Sequence, residues 1–383
     1  MQPKAAAGPV IVLTISPWDE PKRLRKQLAE VLSKDFAVTY VTLPYGLRKP
    51  ARDTDHVDGN VRVLSLAGPL LPLRILNRVS LLRSAYEWWV AKRLLRRLRG
   101  TGPIDTVFCF TSNHPTLLKH LRPAPIIYVA NDDHVSMASS ATGAQLIRRD
   151  EAEAVNLCRL VITVSEVIAS KLAGFGKPTH VMYPGHDCDA LPLQRFTEQK
   201  YTPRSACFFG YIDWRIDFAL LRHLLNQDWE VSLIGPVIGT EAQIAELKAE
   251  FHSRFLVHSA VEPKDAPGML ASYQVLMIPY LYRTPEQAEV MELPNKTFIY
   301  FSALRPIVTT WMPNLKLVEP GLIYRAATHE DFLACCVQAA REDSLAHATR
   351  RQVLAQQNTW DARRATLREL MLASKSSLME PSP

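Results

Sequence analysis

Short apolar runs rich in β-branched residues recur along the chain, separated by stretches whose apolar positions repeat at helical spacing. "PVIVLTI" at 9–15 leads into "KRLRKQLAEVLSKD", and "AVTYVTL", "TVFCF", "PIIYVA" and "RLVITVS" follow, each running into polar turn or helical sequence. Such runs read as buried strands, and strands alternating with helices predict parallel sheet with crossovers on both faces. "THVMYPGHDCDALPLQ" breaks the rhythm with two prolines and a glycine, which predicts a linker. A second alternating series then begins: "SACFFG", "WEVSLIG", "RFLVHS", "QVLMIPY" and "RPIVTT". There is no short internal repeat. "RRQVLAQQNTWDARRATLRELMLAS" has the pattern of an amphipathic helix.

The expected architecture is α/β, with two doubly wound Rossmann-like domains facing a cleft. The first spans 1–190 and the second 191–350; a helix over 351–375 packs back toward the first, and 376–383 is a disordered tail. A chain of 383 residues is too long for one ordinary core. An apolar share of 47% with 22% charged residues fits a soluble globular protein. No run approaches the roughly 18 uncharged apolar residues of a spanning helix, and the N-terminus lacks a convincing cleavage site. Six cysteines without CxxC spacing read as reduced thiols, which points to the cytoplasm. Neither GxGxxG nor a Walker A loop occurs, so the usual dinucleotide and NTP sites have no support.

Open α/β sheets bind ligands beyond the carboxyl ends of their strands. In the second half, "FFGYIDWRIDF" places Gly210 and Tyr211 after a strand and Arg215 near the next helix start. "LMIPYLYRTPEQ" places Tyr280 and Arg283 after another, and "LPNKTFIYFS" puts Asn295 and Lys296 at the mouth of a short helix. Helix N-termini, lysine and arginine all favour phosphate, so Arg215 and Lys296 are a candidate clamp for a leaving diphosphate. In the first half, "IIYVANDDHVS" sets Asp132 and Asp133 at a strand end. One would be a general base, with repulsion between them raising the pKa of its neighbour; the other reading is a helix N-cap. His114 in "FTSNHP" could orient an acceptor, though a lone histidine is more often structural. "GHDCD" at 185–189 is too tightly spaced for tetrahedral closure, so no metal site is expected.

Residues 1–190 hold 25 Lys/Arg against 17 Asp/Glu, so the positive excess lies in the first half. Residues 71–100 carry eight basic residues, one acidic residue and a Trp pair. That mixture suits an interfacial helix on an anionic membrane, with Arg78, Arg83, Trp88, Trp89, Lys92, Arg93, Arg96 and Arg97 facing it. Two ordinary surface helices with a buried Leu/Trp face are the alternative. Nucleic acid is not expected, because no aromatic platform or recognised motif accompanies the charge.

The second half resembles the donor domain of GT-B glycosyltransferases, in particular family-4-like enzymes. The resemblance rests on Gly210, Trp214, Asp217, "LIGP" (233–236), "PNK" (294–296), Tyr300, "RPIVTT" (305–310) and "NTWDAR" (358–363). "YVANDDHVS", "RLVITVSEVIASKL" and "YPGHD" are similar to the first half of the same enzymes. Many relatives carry a glutamate for the nucleotide ribose where this chain has Ile299, and Glu292 is not in the register of their earlier acid. The chain is also similar to the glucuronosyltransferase of xanthan assembly, which lacks that glutamate too. This likeness implies that Tyr280 and Lys296 contact the nucleotide and that Asp132 is the base. The resemblance implies transfer of a sugar from a nucleotide diphosphate sugar, UDP-linked by kinship, to a polyprenyl-linked or saccharide acceptor. Cell-surface polysaccharide assembly at the inner face of the membrane would be the setting, with no cofactor required beyond the donor substrate. A non-catalytic GT-B-like subunit and a sugar-nucleotide epimerase are the alternatives.

Overall fold

The computed structural model describes residues 8–20, 23–44, 52–68, 80–138, 140–197 and 204–376. Arg78 and the tail from 377 lie outside them. The chain divides into two compact units: 1–183 with 363–383, and 184–362.

The first unit is built on an eight-stranded sheet. Its strands are β1 (Val10–Thr14), β2 (Val38–Thr42), β3 (Thr54–Asp58), β4 (Val61–Ser65), β5 (Thr106–Cys109), β6 (Ile126–Ala130), β7 (Leu160–Thr163) and β8 (Thr179–Val181). They lie in the order β3-β4-β2-β1-β5-β6-β7-β8. The central strands β1, β2, β5, β6 and β7 are buried at every position, as parallel strands covered on both faces must be, and apart from threonines their residues are apolar. β3 departs from the parallel expectation: it pairs antiparallel with β4 across a tight turn at Gly59, whose φ is +56°. All five β3 residues are exposed, so no apolar alternation marks the strand. β8 also corrects the linker reading, since the first residues of "THVMYPGHD" pair with β7.

In the second unit β9 (Ser205–Phe209), β10 (Glu230–Ile234), β11 (Phe255–His258), β12 (Val275–Ile278), β13 (Ile307–Thr310) and β14 (Ile323–Ala326) form an all-parallel sheet in the order β11-β10-β9-β12-β13-β14. At its carboxyl edge β9 and β10 come very close. Gly210 donates its N–H to the Ile234 carbonyl at 2.9 Å. Gly235 has φ +147°, and a Cβ there would lie 2.0 Å from the Gly210 carbonyl oxygen. Only glycine fits such a contact.

The expected helix over 351–375 is two helices. Leu345–Gln357 belongs to the second unit, where the fully buried Arg351 binds Asp343 and the carbonyls of Leu304 and Gly321. The helix Trp360–Ser376 starts after a break at Asn358–Thr359, and from Arg363 it belongs to the first unit. There Arg364 pairs with Asp35 at 3.0 Å and Lys375 with Asp105 at 2.7 Å, while Leu367 and Met371 are buried. The two chain crossings are tied side by side. His186 and Thr359 form a bridge, Trp360 N–H donates to the His186 carbonyl at 3.0 Å, and Gly185 packs against the Trp360 ring. "YPGHD" and "NTWDAR" are therefore one structural feature.

Candidate active site

In the second unit the residues after β9 and β12 and the helix Thr297–Ser302 converge. That helix is fixed from within by Tyr300. Its fully buried hydroxyl accepts the Phe209 N–H at 2.8 Å and donates to the Met277 carbonyl at 3.2 Å. Lys296, at the helix N-cap, is thereby set over the sheet edge. Its ammonium lies 4.5 Å from the centre of the Phe208 ring and 4.6 Å from that of Tyr280, and it donates to the Tyr280 hydroxyl. Thr310 holds Tyr280 in turn by donating to its carbonyl at 2.7 Å. Gly210, with φ +141°, leaves open the space where a Cβ would sit 3.3 Å from Lys296 Cε and Nζ. Aromatic faces and a phenol thus hold this cation, and no carboxylate among the described residues pairs with it. The helix has six residues, so its dipole is slight and the positive charge is that of Lys296 itself.

Arg215 stands just before the next helix and is already ion-paired. The following helix starts at Phe218 with Asp217 as its cap, so Arg215 lies in the preceding loop. Its guanidinium is held bidentately by Asp213, Nε at 2.9 Å and Nη2 at 2.7 Å. Burial would raise the Asp213 carboxyl; hydrogen bonds from Arg215, with the charges of Arg215 and Lys296, outweigh it and hold the group below its ordinary range. The pair is close to neutral, which leaves Lys296 as the dominant cation. Arg283 stacks on the half-exposed Trp214 at 3.8 Å. Asn295 is exposed beside Lys296, and Tyr211 is half-buried after Gly210. Ile299 is half-buried and packs against the hydrophobic core, and Glu292 is buried. Phe208 and Asp213 escaped the sequence reading, although Asp213 stands two residues before Arg215.

In the first unit, Asp132 and Asp133 follow β6 as expected, but their environments differ. Asp133 accepts Lys171 Nζ at 2.5 Å and the Ser136 N–H at 3.1 Å. Burial would raise its carboxyl, yet the Lys171 and Ser136 contacts outweigh that and lower it. Asp133 is therefore a turn-closing, ion-paired residue, and the expected elevation is reversed there. Asp132 is exposed and accepts from the Asn131 side-chain amide. Nearby Glu151, which no sequence pattern marks, accepts from the Tyr128 hydroxyl at 3.0 Å, and burial raises its carboxyl.

His114 is buried, with Nε2 3.1 Å from the Pro44 carbonyl and its ring beside Tyr86. Its surroundings are those of a core residue. Arg83, expected to face a membrane, is only 8% exposed; it binds Glu87, Asp150 and the Asn113 carbonyl. Glu87 at i+4 was the signal for that. Arg93 is half-buried, paired with Asp53 and bonded to the Ala67 carbonyl at 2.9 Å. Lys92, Arg96, Arg97, Trp88 and Trp89 are exposed. In "GHDCD", His186 Nε2 meets the Ala355 carbonyl at 2.8 Å and Nδ1 accepts the Cys188 N–H. Among the described residues no group of three or more His, Cys, Asp or Glu could hold a metal ion.

No family model and no curated protein matches the sequence. Solved structures do. An α,α-trehalose-phosphate synthase (UDP-forming) from Burkholderia vietnamiensis is 10% identical with a TM-score of 0.64, over 95% of this chain and 99% of that one. HepE of Anabaena in complex with UDP-glucose is 15% identical at 0.61, over 97% and 100%. WaaG, a glycosyltransferase involved in lipopolysaccharide biosynthesis, is 13% identical at 0.60, over 94% and 99%. The two parallel-sheet units are thus the GT-B fold.

Burial lowers the His114 pKa to about 4, from an unfolded value near 6.5. As pH falls between those values the unfolded chain gains a proton that the folded unit refuses. Stability present above about 6.5 is therefore lost, on the order of 3 kcal/mol by pH 4. Unfolding midpoints measured across that window should fall more steeply for wild type than for His114→Gln. Parallel curves would remove His114 as the source.

Proposed function

We propose that the chain is a glycosyltransferase that moves a hexosyl group from a UDP-sugar to a polyprenyl-linked or saccharide acceptor, in cell-surface polysaccharide assembly. The observation that carries this reading is the Lys296 ammonium, held by Tyr280 and Phe208 beside the side-chain-free Gly210 and paired with no described carboxylate. A diphosphate fits such a seat, because its charge grows as the sugar–phosphate bond breaks and a fixed cation then stabilises the leaving group. UDP, and not another diphosphate, is favoured by the HepE and trehalose-phosphate synthase names; WaaG favours the surface-polysaccharide setting. Tyr280, bonded to Lys296, and the adjacent Asn295 would border the phosphate.

In an inverting displacement Asp132 takes the proton of the acceptor hydroxyl, and that oxygen attacks the anomeric carbon. The bond from this carbon to the diphosphate oxygen breaks, and UDP leaves with the electron pair. Asp132 is preferred to Asp133 as the base because the residue is exposed, whereas the Asp133 carboxyl is held low by Lys171 and Ser136. Ile299 favours one competing reading, a binding subunit without turnover, since an isoleucine offers the ribose no acceptor.

Lys296→Ala should weaken UDP binding about 10- to 100-fold, the value of a charge-assisted contact, and lower the ligand-free melting temperature by only a few degrees, the cost of its lost aromatic contacts. Equal UDP-induced thermal shifts in variant and wild type would remove the diphosphate assignment. Asp132→Asn should bind UDP as wild type does and lose about 100-fold or more in transfer, measured with a UDP-sugar panel. Undiminished transfer would exclude Asp132 as the base. Absence of transfer by wild type, with UDP still bound, would favour the binding subunit.

A further inference from the structure

The helix Ser80–Arg97 presents an outer face that the described residues of the first unit leave exposed. Leu81 is 81% exposed, Leu82 50%, Trp88 49% and Trp89 41%. Val90, Leu94 and Leu98 point the other way and are fully or nearly fully buried, so the helix is anchored by one side and apolar on the other as well. Exposed apolar side chains clustered on one helix mark a surface for something else to cover. The outer face is ordered along its axis. Its apolar groups occupy the first half, and exposed Lys92, Arg96, Arg97 and Arg99 occupy the end. Only one acid lies between 80 and 99, Glu87, and it is turned inward onto Arg83 and the Leu117 N–H. Arg97 reaches Asp53 at 3.3 Å, but its side chain stays 46% exposed. Lys92 lies 5.7 Å over the Trp88 ring, so cation and aromatic adjoin.

We propose that this face docks on an anionic lipid bilayer, with Leu81, Leu82, Trp88 and Trp89 entering the headgroup–acyl boundary and Lys92, Arg96, Arg97 and Arg99 meeting lipid phosphates. A bilayer fits better than a protein groove because the apolar and cationic parts are laid end to end, which suits a planar surface apolar below and anionic above. Indole rings favour that boundary, and the long basic side chains can reach from it to the phosphates. The inference stands on this helix alone and does not depend on the donor site.

The test is flotation of the full chain with vesicles of phosphatidylcholine containing one third phosphatidylglycerol, and with pure phosphatidylcholine. The protein should float with the anionic vesicles, with a blue-shifted tryptophan emission, and much less with the neutral ones. Trp88→Ser with Trp89→Ser should lower partitioning at least about tenfold. Lys92→Glu and Arg96→Glu should each lower it about fivefold or more. All four positions are exposed, and unchanged circular dichroism with an unchanged ligand-free melting temperature shows that the variants fold. Three results would overturn the proposal: no flotation with anionic vesicles, variants that float as wild type does, or a concentration-dependent dimer abolished by the Trp substitutions. The last would assign the face to a second copy of the chain.

Discussion

A lysine held by aromatic faces, with no carboxylate among the described residues paired to it, is the contact around which the carboxyl edge of the second sheet is organised. Each such cation–aromatic contact contributes on the order of 0.5 to 2 kcal/mol, enough to place Lys296 without neutralising it. A carboxylate in the same place would position the ammonium more firmly and cancel its field. The surrounding residues serve that placement: Tyr300 pins the helix to β9 and β12, Thr310 pins Tyr280, and Gly210 leaves the space beside the ammonium empty. Gly235 is required in turn, because the Gly210 carbonyl occupies the position of its missing side chain.

Arg215 shows the contrast. It is near the same site and carries the same charge, but Asp213 grips both arms of its guanidinium. In the first unit the neighbouring acids differ in surroundings: Asp133 is tied to Lys171 and Ser136, and Asp132 is exposed with the Asn131 amide donating to it. In the second unit partners thus distinguish two cations of one site, Arg215 gripped by Asp213 and Lys296 paired with no described carboxylate. This sorting follows from local hydrogen-bond geometry, and charge counts do not contain it.

Most of the fold was legible because parallel strands covered on both faces are nearly all apolar, and "VIVLT", "TVFC", "IIYVA" and "VLMI" are, apart from a terminal threonine in the first two. β3 was not, since an edge strand exposed at every residue carries no burial pattern, and β8 was masked by the prolines around it. The end of the chain was read as one helix because "NTWDAR" continues the amphipathic spacing across the break at 358–359. Gly210, Tyr280 and Lys296 were found from sequence, and the structure brings them together. The fates of His114 and Arg83 could not be read as easily. Pro44 lies 70 residues from His114 and Asp150 lies 67 from Arg83, and burial by distant segments leaves no local trace. Glu87, one turn from Arg83, was the single local sign.

The account rests most heavily on the claim that the open cation is a phosphate seat. Calorimetric titration of the full chain with UDP, UMP and uridine tests this directly, because the three share a base and ribose and differ only in phosphate. The account predicts that affinity falls from UDP to UMP to uridine, and that added salt erodes the UDP affinity most. Uridine binding as tightly as UDP would contradict it, since Lys296 would then contribute nothing to what the protein recognises.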